Sequence, residues 1–159
     1  NTREFFSRSA EQTRRVGMRL GSLLKAGDLI CLSGDLGAGK TTLVQGLSQG
    51  WGSLDSVSSP TFILVNVYRR PDGRQIHHMD AYRMKHALEA EDLDLDLMLE
   101  TGPVVIEWPE RIKEVLPEER LWVSMRWIAD EQRGLVFTGT GDRAQELLTE
   151  FRHRVFGGL

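Results

Sequence analysis

One octapeptide constrains this chain more than any other stretch: Gly34-Asp35-Leu36-Gly37-Ala38-Gly39-Lys40-Thr41. It follows Asp28-Leu29-Ile30-Cys31-Leu32-Ser33, a short apolar run of the sort found in strands buried on both faces. Behind it, Thr41 to about Gln49 has helical character, and Gly50-Trp51-Gly52 ends that helix. The octapeptide fits G-x-x-x-x-G-K-[ST] at every fixed position, in the strand-to-helix setting that pattern requires. Its glycines let the backbone wrap with N–H groups inward, and the next helix offers its N-terminal donors and positive dipole end to the same anion. The stretch therefore reads as a phosphate-binding loop. Lys40 is expected over the β- and γ-phosphates, with the Thr41 hydroxyl completing a Mg²⁺ shell.

The rest of the chain supplies the frame. Ser9-Ala10-Glu11-Gln12 reads as a capping box, and Val16, Leu20, Leu23 and Leu24 follow at helical spacing, predicting a helix from about residue 10 to 25. Residues 53–60 look like a polar loop. Two β-rich runs, 62–68 and 75–82, flank Arg70-Pro71-Asp72-Gly73 and predict a hairpin. Pro103-Val104-Val105-Ile106-Glu107 is a second short buried-type strand, and residues 109–115 suit a short helix opened by proline. Residues 121–128 and 135–140 look like strands joined by residues 130–134, and a helix over 142–155 closes the chain. Interleaved buried strands and helices predict a single α/β domain over residues 1–159: a P-loop NTPase-like three-layer fold, with a central mixed, mostly parallel sheet flanked by helices.

Composition narrows the partners. At 159 residues and a net charge of -3, the chain has no basic surplus for holding a polyphosphate backbone, which disfavours direct, tight binding of bare nucleic acid. The opening residues lack a signal-peptide pattern and no apolar run reaches spanning length, so a soluble, cytoplasmic protein is expected. Cys31, the lone cysteine, has no partner for an internal disulfide and is expected to be buried and inert. Asp92-x-Asp94-x-Asp96 opens like a calcium loop, but Leu97 and Pro103 stand where glycine and glutamate are required, so a solvated helical face is expected instead.

Two carboxylates compete to complete the metal site: Asp80, ending Gln75-Ile76-His77-His78-Met79-Asp80, and Glu107, after Val104-Val105-Ile106. Both end strands, where ligands sit in open α/β sheets, and they can share the work, one holding Mg²⁺ and the other orienting the attacking water. Both are expected in a polar crevice, so removing either leaves no unpaired partner in a core. Thr61, in Ser59-Pro60-Thr61-Phe62, is a candidate switch hydroxyl; the plainer reading of that stretch is a strand entry. Arg83 either offsets phosphate charge or pairs with the acidic stretch, and His77, His78, His86 and His153 read as surface or hydrogen-bonded structural groups. Trp108 either stacks on a base, docks on a partner or belongs to the core.

Taken together, Gly34 to Thr42, Val57-Ser58-Ser59-Pro60-Thr61-Phe62 with Tyr68, His78-Met79-Asp80-Ala81-Tyr82-Arg83 and Glu107-Trp108-Pro109-Glu110 make the chain similar to the TsaE (YjeE) family over nearly its whole length. The run 93–99 departs from the family pattern in being more acidic and lacking a glycine. The resemblance implies a small ATPase using ATP and Mg²⁺, with little activity alone, that resets the TsaB–TsaD complex during threonylcarbamoyladenosine modification of tRNAs reading ANN codons. It meets tRNA only through that complex. On the same resemblance, Asp35, Leu36, Gly37, Ala38, Gly39, Lys40, Thr41, Thr42 and Trp108 serve the nucleotide, Thr41, Asp80 and Glu107 the metal, and Thr61 acts as the switch threonine. A small-molecule kinase would need an arginine-bearing lid, and between the motifs no arginine cluster stands beyond Arg69-Arg70 in the hairpin. A guanine-specific switch would need an Asn/Thr-Lys-x-Asp reader, which is absent. A nucleotide-gated binding protein with incidental hydrolysis stays open as the alternative.

Overall fold

The computed structural model describes residues 2–35, 37–58 and 65–157, the side chains of Asp92 and Phe156 apart. Its centre is one seven-stranded sheet, and the strand that leads into the glycine turn lies in the middle of it. In chain order the strands are β1 (Thr2–Ser7), β2 (Leu29–Ser33), β3 (Val65–Arg69), β4 (Gln75–Asp80), β5 (Val104–Glu107), β6 (Arg120–Ala129) and β7 (Gln132–Thr140). The spatial order is β1-β7-β6-β2-β5-β4-β3. The central pairings β6–β2, β2–β5 and β5–β4 are parallel, while β1, β7 and β3 add to the flanks antiparallel. The expected mixed sheet is thus present, its parallel part confined to the middle, where helices cover both faces.

The period-2 geometry of β2 sorts its side chains into two cores. Ile30 and Leu32 pack with Val105, Ile76 and Leu121 under α1 (Ala10–Gly21), α2 (Lys40–Trp51) and α4 (Asp142–Arg152). Leu29 and Cys31 pack with Met79, Val104 and Ile106 under the 3-10 segment Ala87–Leu93 and α3 (Leu95–Thr101). Cys31 is fully buried and its thiol is pushed up to about 12 by desolvation, as expected of an inert side chain.

Local chemistry explains most boundaries. Ser9 Oγ accepts from Gln12 N at 3.1 Å, and Gln12 reaches back to the Arg8 N–H at 2.7 Å, so the capping box forms one residue wider than the usual reciprocal pair. The helix ends at Gly21 instead of running to residue 25, because Leu23 and Leu24 switch to i−3 bonding and the Asp28 carboxylate takes the Lys25 N–H at 2.7 Å. Helices α1 and α2 touch backbone to backbone: a Cβ on Gly46 would lie 2.1 Å from the Arg14 carbonyl oxygen. The hairpin turns through Gly73 at φ 88°, and the acidic stretch falls on the 3-10 segment and α3. The link between β6 and β7 is only Asp130-Glu131, with Asp130 at φ 50°, tighter than the expected five residues. Strand β1 carries no clear alternation in sequence, its Phe5-Phe6 pair breaking the period, and it forms by pairing with β7 from Thr2↔Thr138 to Ser7↔Arg133. Among the described residues no helix is long and apolar enough to cross a membrane.

At the N-terminal end of β2, Asp28 is 3% exposed and fully engaged. It accepts from Arg143 Nε at 2.8 Å and Nη2 at 2.9 Å, and the same guanidinium also reaches the Leu23 carbonyl at 2.9 Å, tying α4 to the sheet.

Candidate functional site

Three parallel strands end side by side on the other edge of the sheet. Leu32 on β2 registers with Glu107 on β5, and Glu107 with Asp80 on β4. Because residues two apart share a strand face, His78 and Asp80 lie on the face of Ile76, and Glu107 on that of Val105. That is the side of the sheet covered by α2. The two carboxylates predicted from sequence therefore stand together, facing the start of α2.

The turn between β2 and α2 uses its glycines for backbone shape and close approach. Gly37 (φ 82°) and Gly39 (φ 97°) adopt left-handed conformations, which favour glycine. Gly34 lies so close to β6 that a Cβ would sit 2.4 Å from the Met125 carbonyl oxygen. Ala38 N–H closes the turn on the Asp35 carbonyl at 3.0 Å; Asp35 is exposed, and Leu36 lies outside the described residues. Among the described residues no side chain caps α2 at Gly39, and no acidic residue lies in its first turn to offset the positive end of the helix dipole. Thr41 and Thr42 are half-buried on that first turn.

Lys40 is only 6% exposed. Its Nζ donates to the Gly34 carbonyl at 2.6 Å and rests 3.8 Å from the centre of the Trp108 ring. Burial is the largest influence on this amine and lowers its pKa, while the negative charges of Glu107, Glu110, Asp80 and Asp35 pull the other way. Trp108 holds a left-handed backbone (φ 59°), rare for a non-glycine residue, and packs at a tilt against Tyr82 with ring centres 4.8 Å apart. Its indole is half-buried in the site, not lodged in either core.

The carboxylates are held differently. Asp80 is half-buried and accepts the Tyr82 N–H at 2.9 Å. Desolvation raises its pKa most, Glu107 adds to the rise, and the Tyr82 hydrogen bond, His78 and Lys40 oppose it. Glu107 is 4% exposed, and its Oε2 lies 2.6 Å from His78 Nε2. This corrects one expectation: removing the Glu107 carboxylate does leave a buried partner, the fully buried His78 imidazole. On its other side, His78 Nδ1 meets the Tyr68 hydroxyl at 2.8 Å, and that hydroxyl donates to the Ser58 carbonyl at 2.9 Å. His78 and Tyr68 were missed as site residues. The i, i+2 relation of His78 to Asp80 was a usable signal, and so was the hairpin, which brings β3 alongside β4 with Tyr68 opposite Ile76. Arg83 is exposed, away from both cores, and Thr61, with Ser59, Pro60 and Phe62, lies outside the described residues.

The donor set fits a polyphosphate with a hydrated divalent cation. The start of α2, the buried ammonium and the glycine turn can receive anionic oxygens. Asp80 and Glu107, paired in register at the ends of adjacent strands, could supply the one or two carboxylates that Mg²⁺ takes while keeping several waters.

The chain is similar to known proteins of one family. The family model for "Threonylcarbamoyl adenosine biosynthesis protein TsaE" matches residues 7–135. The tRNA threonylcarbamoyladenosine biosynthesis protein TsaE of Streptomyces coelicolor is 47% identical over 136 residues, covering 82% of this chain and 92% of the relative. The protein of the same name from Bacillus subtilis is 40% identical over 146 residues, 90% of each chain. The crystal structure of Bacillus subtilis YdiB superposes with a TM-score of 0.80 at 31% identity, covering 98% of this chain and 97% of that one.

Proposed function

The chain belongs to the TsaE family, and from that premise we propose that it is a Mg²⁺-dependent ATPase serving threonylcarbamoyladenosine biosynthesis on tRNA, resetting a TsaB–TsaD assembly between turnovers. The observation that carries the reading is the convergence of Lys40, Asp80 and Glu107 beside the start of α2, at the ends of three adjacent strands. Lys40 exchanges its carbonyl and ring contacts for the terminal phosphates, compensating their charge as the bond to the leaving oxygen loosens. Thr41 and Asp80 would hold the cation, the Asp80 carboxylate being oriented by the Tyr82 N–H. Glu107, braced by His78, orients the attacking water. Mg²⁺, when bound, neutralises charge on the phosphate oxygens. Trp108 lines the nucleotide site, and the P-loop residues from Asp35 to Thr42 wrap the phosphates. Thr61 acts as the switch hydroxyl on the terminal phosphate. Partner proteins bring the tRNA, in keeping with an overall negative charge, and the place of action is the cytoplasm, where tRNA is modified.

Steady-state ATP hydrolysis tests this, first with the protein and Mg²⁺ alone, then with TsaB, TsaD and tRNA added, and with Lys40→Ala as control. A low rate that the partners raise and the substitution removes is expected. A rate indifferent to the partners, or phosphate appearing on an added nucleoside or sugar, would replace this reading with a stand-alone switch or a kinase.

A further inference from the structure

The Tyr68–His78–Glu107 chain is more than core packing. His78 has no exposed surface, and both of its ring nitrogens are engaged, Nδ1 at 2.8 Å and Nε2 at 2.6 Å. An imidazole bonded at both ends is fixed in rotation and passes a displacement at one end to the other. One end is the Glu107 carboxylate. The other leads through the Tyr68 hydroxyl, off the edge strand β3, to the backbone of residues 53–58. That segment is attached to β3 by polar contacts: Asp55 Oδ2 accepts the Arg69 N–H at 2.7 Å, and the Ser58 carbonyl accepts from Asn66 Nδ2 at 3.0 Å as well as from Tyr68 Oη at 2.9 Å. Four groups on four successive parts of the fold are thus joined into one line that ends on a site carboxylate.

We infer that Tyr68 and His78 are positioning residues for Glu107, and that the line Ser58–Tyr68–His78–Glu107 ties the aim of this carboxylate to the docking of residues 53–58 on β3. If the Ser58 carbonyl moves off the edge strand, the Tyr68 hydroxyl loses that acceptor and turns, and the brace on His78 and Glu107 slackens. The consequence for turnover rests on the ATPase reading above. The mechanical link between the segment and the carboxylate does not.

The test has two arms. Without nucleotide, amide hydrogen exchange over residues 53–58 is compared in the wild type, Glu107→Ala and Glu107→Gln. Breaking the far end of the line speeds exchange there at least about threefold in Glu107→Ala, with α1 and α4 unchanged, while glutamine, which still bonds the imidazole, keeps exchange near the wild-type value. Unchanged exchange over 53–58 in folded Glu107→Ala overturns the inference. In steady state, Tyr68→Phe lowers kcat about tenfold with KM within about twofold, and adds nothing when His78→Gln is already present. A KM-only effect, or additive losses tracking Tm, overturns the positioning role. If the wild type hydrolyses no ATP under any condition, the proposed function fails, and the exchange arm still decides the link.

Discussion

The two ends of β2 hold buried charge in opposite ways. Before the strand, Asp28 is 3% exposed and accepts two hydrogen bonds from the Arg143 guanidinium and one from the Lys25 N–H. After the strand, Lys40 is 6% exposed, yet among the described residues no carboxylate lies within ion-pairing distance of it; a carbonyl and an indole face satisfy it instead. Asp80 and Glu107 stand near enough to act on its charge but are spent on a backbone N–H and on His78. A charge paired inside the protein holds helix to sheet. A charge kept from its natural partners stays available to a ligand, at some expense to folding.

The largest effect expected from this contrast is on activity. Lys40→Ala should lower hydrolysis by roughly 10³-fold, the upper range for removing one preorganised charge. It should leave the melting temperature unchanged or higher, because a buried amine without a carboxylate partner opposes folding. A clear fall in Tm would break the comparison. Asp28→Ala should do the reverse. It removes two of the Arg143 guanidinium's hydrogen bonds, leaving it Glu146 and the Leu23 carbonyl, and frees the Lys25 N–H, and it should cost about 2 kcal/mol with nucleotide affinity unaltered, as thermal unfolding and calorimetric titration would show.

A smaller effect sharpens the carboxylate side. Burial raises the Asp80 pKa, so the folded state holds its proton more tightly than the unfolded chain does. The sign follows: the charge opposes folding above the raised value, and the penalty fades as pH falls toward the ordinary 3.8. Asp80→Asn should therefore melt above the wild type at pH 7, with the gap narrowing toward pH 4, and should lose hydrolysis. A gap that widens on acidification would contradict the assignment. The smallest effect concerns the middle of the strand: Cys31, buried with its thiol at about 12, should resist thiol reagents until the protein is unfolded.

The parts of the site that were legible in sequence are those carried by local order. The glycine turn is contiguous, and Asp80 and Glu107 each end an apolar run, so strand and site could be read together. What escaped depends on register between distant segments. Arg143 meets Asp28 across 115 positions, and His78 meets Glu107 across 29. No spacing rule brings such pairs together; only the strand order does. Glu107 was read as lying in a polar crevice for that reason, although the fold places it beside a buried histidine. Strand β1 was missed because its stability comes from β7, not from a pattern of its own. The end of α1 was overrun because a side chain 3 positions downstream, Asp28, competes for the Lys25 N–H.

The most direct test of the central claim is calorimetric titration of ATP with Mg²⁺ into the wild type, Lys40→Ala and Asp28→Ala. The account predicts that the wild type and Asp28→Ala bind alike, within about twofold, while Lys40→Ala weakens binding by roughly 10²-fold or more. Equal binding by Lys40→Ala and the wild type would contradict it, and the buried lysine would then be a feature of the fold with no ligand to meet.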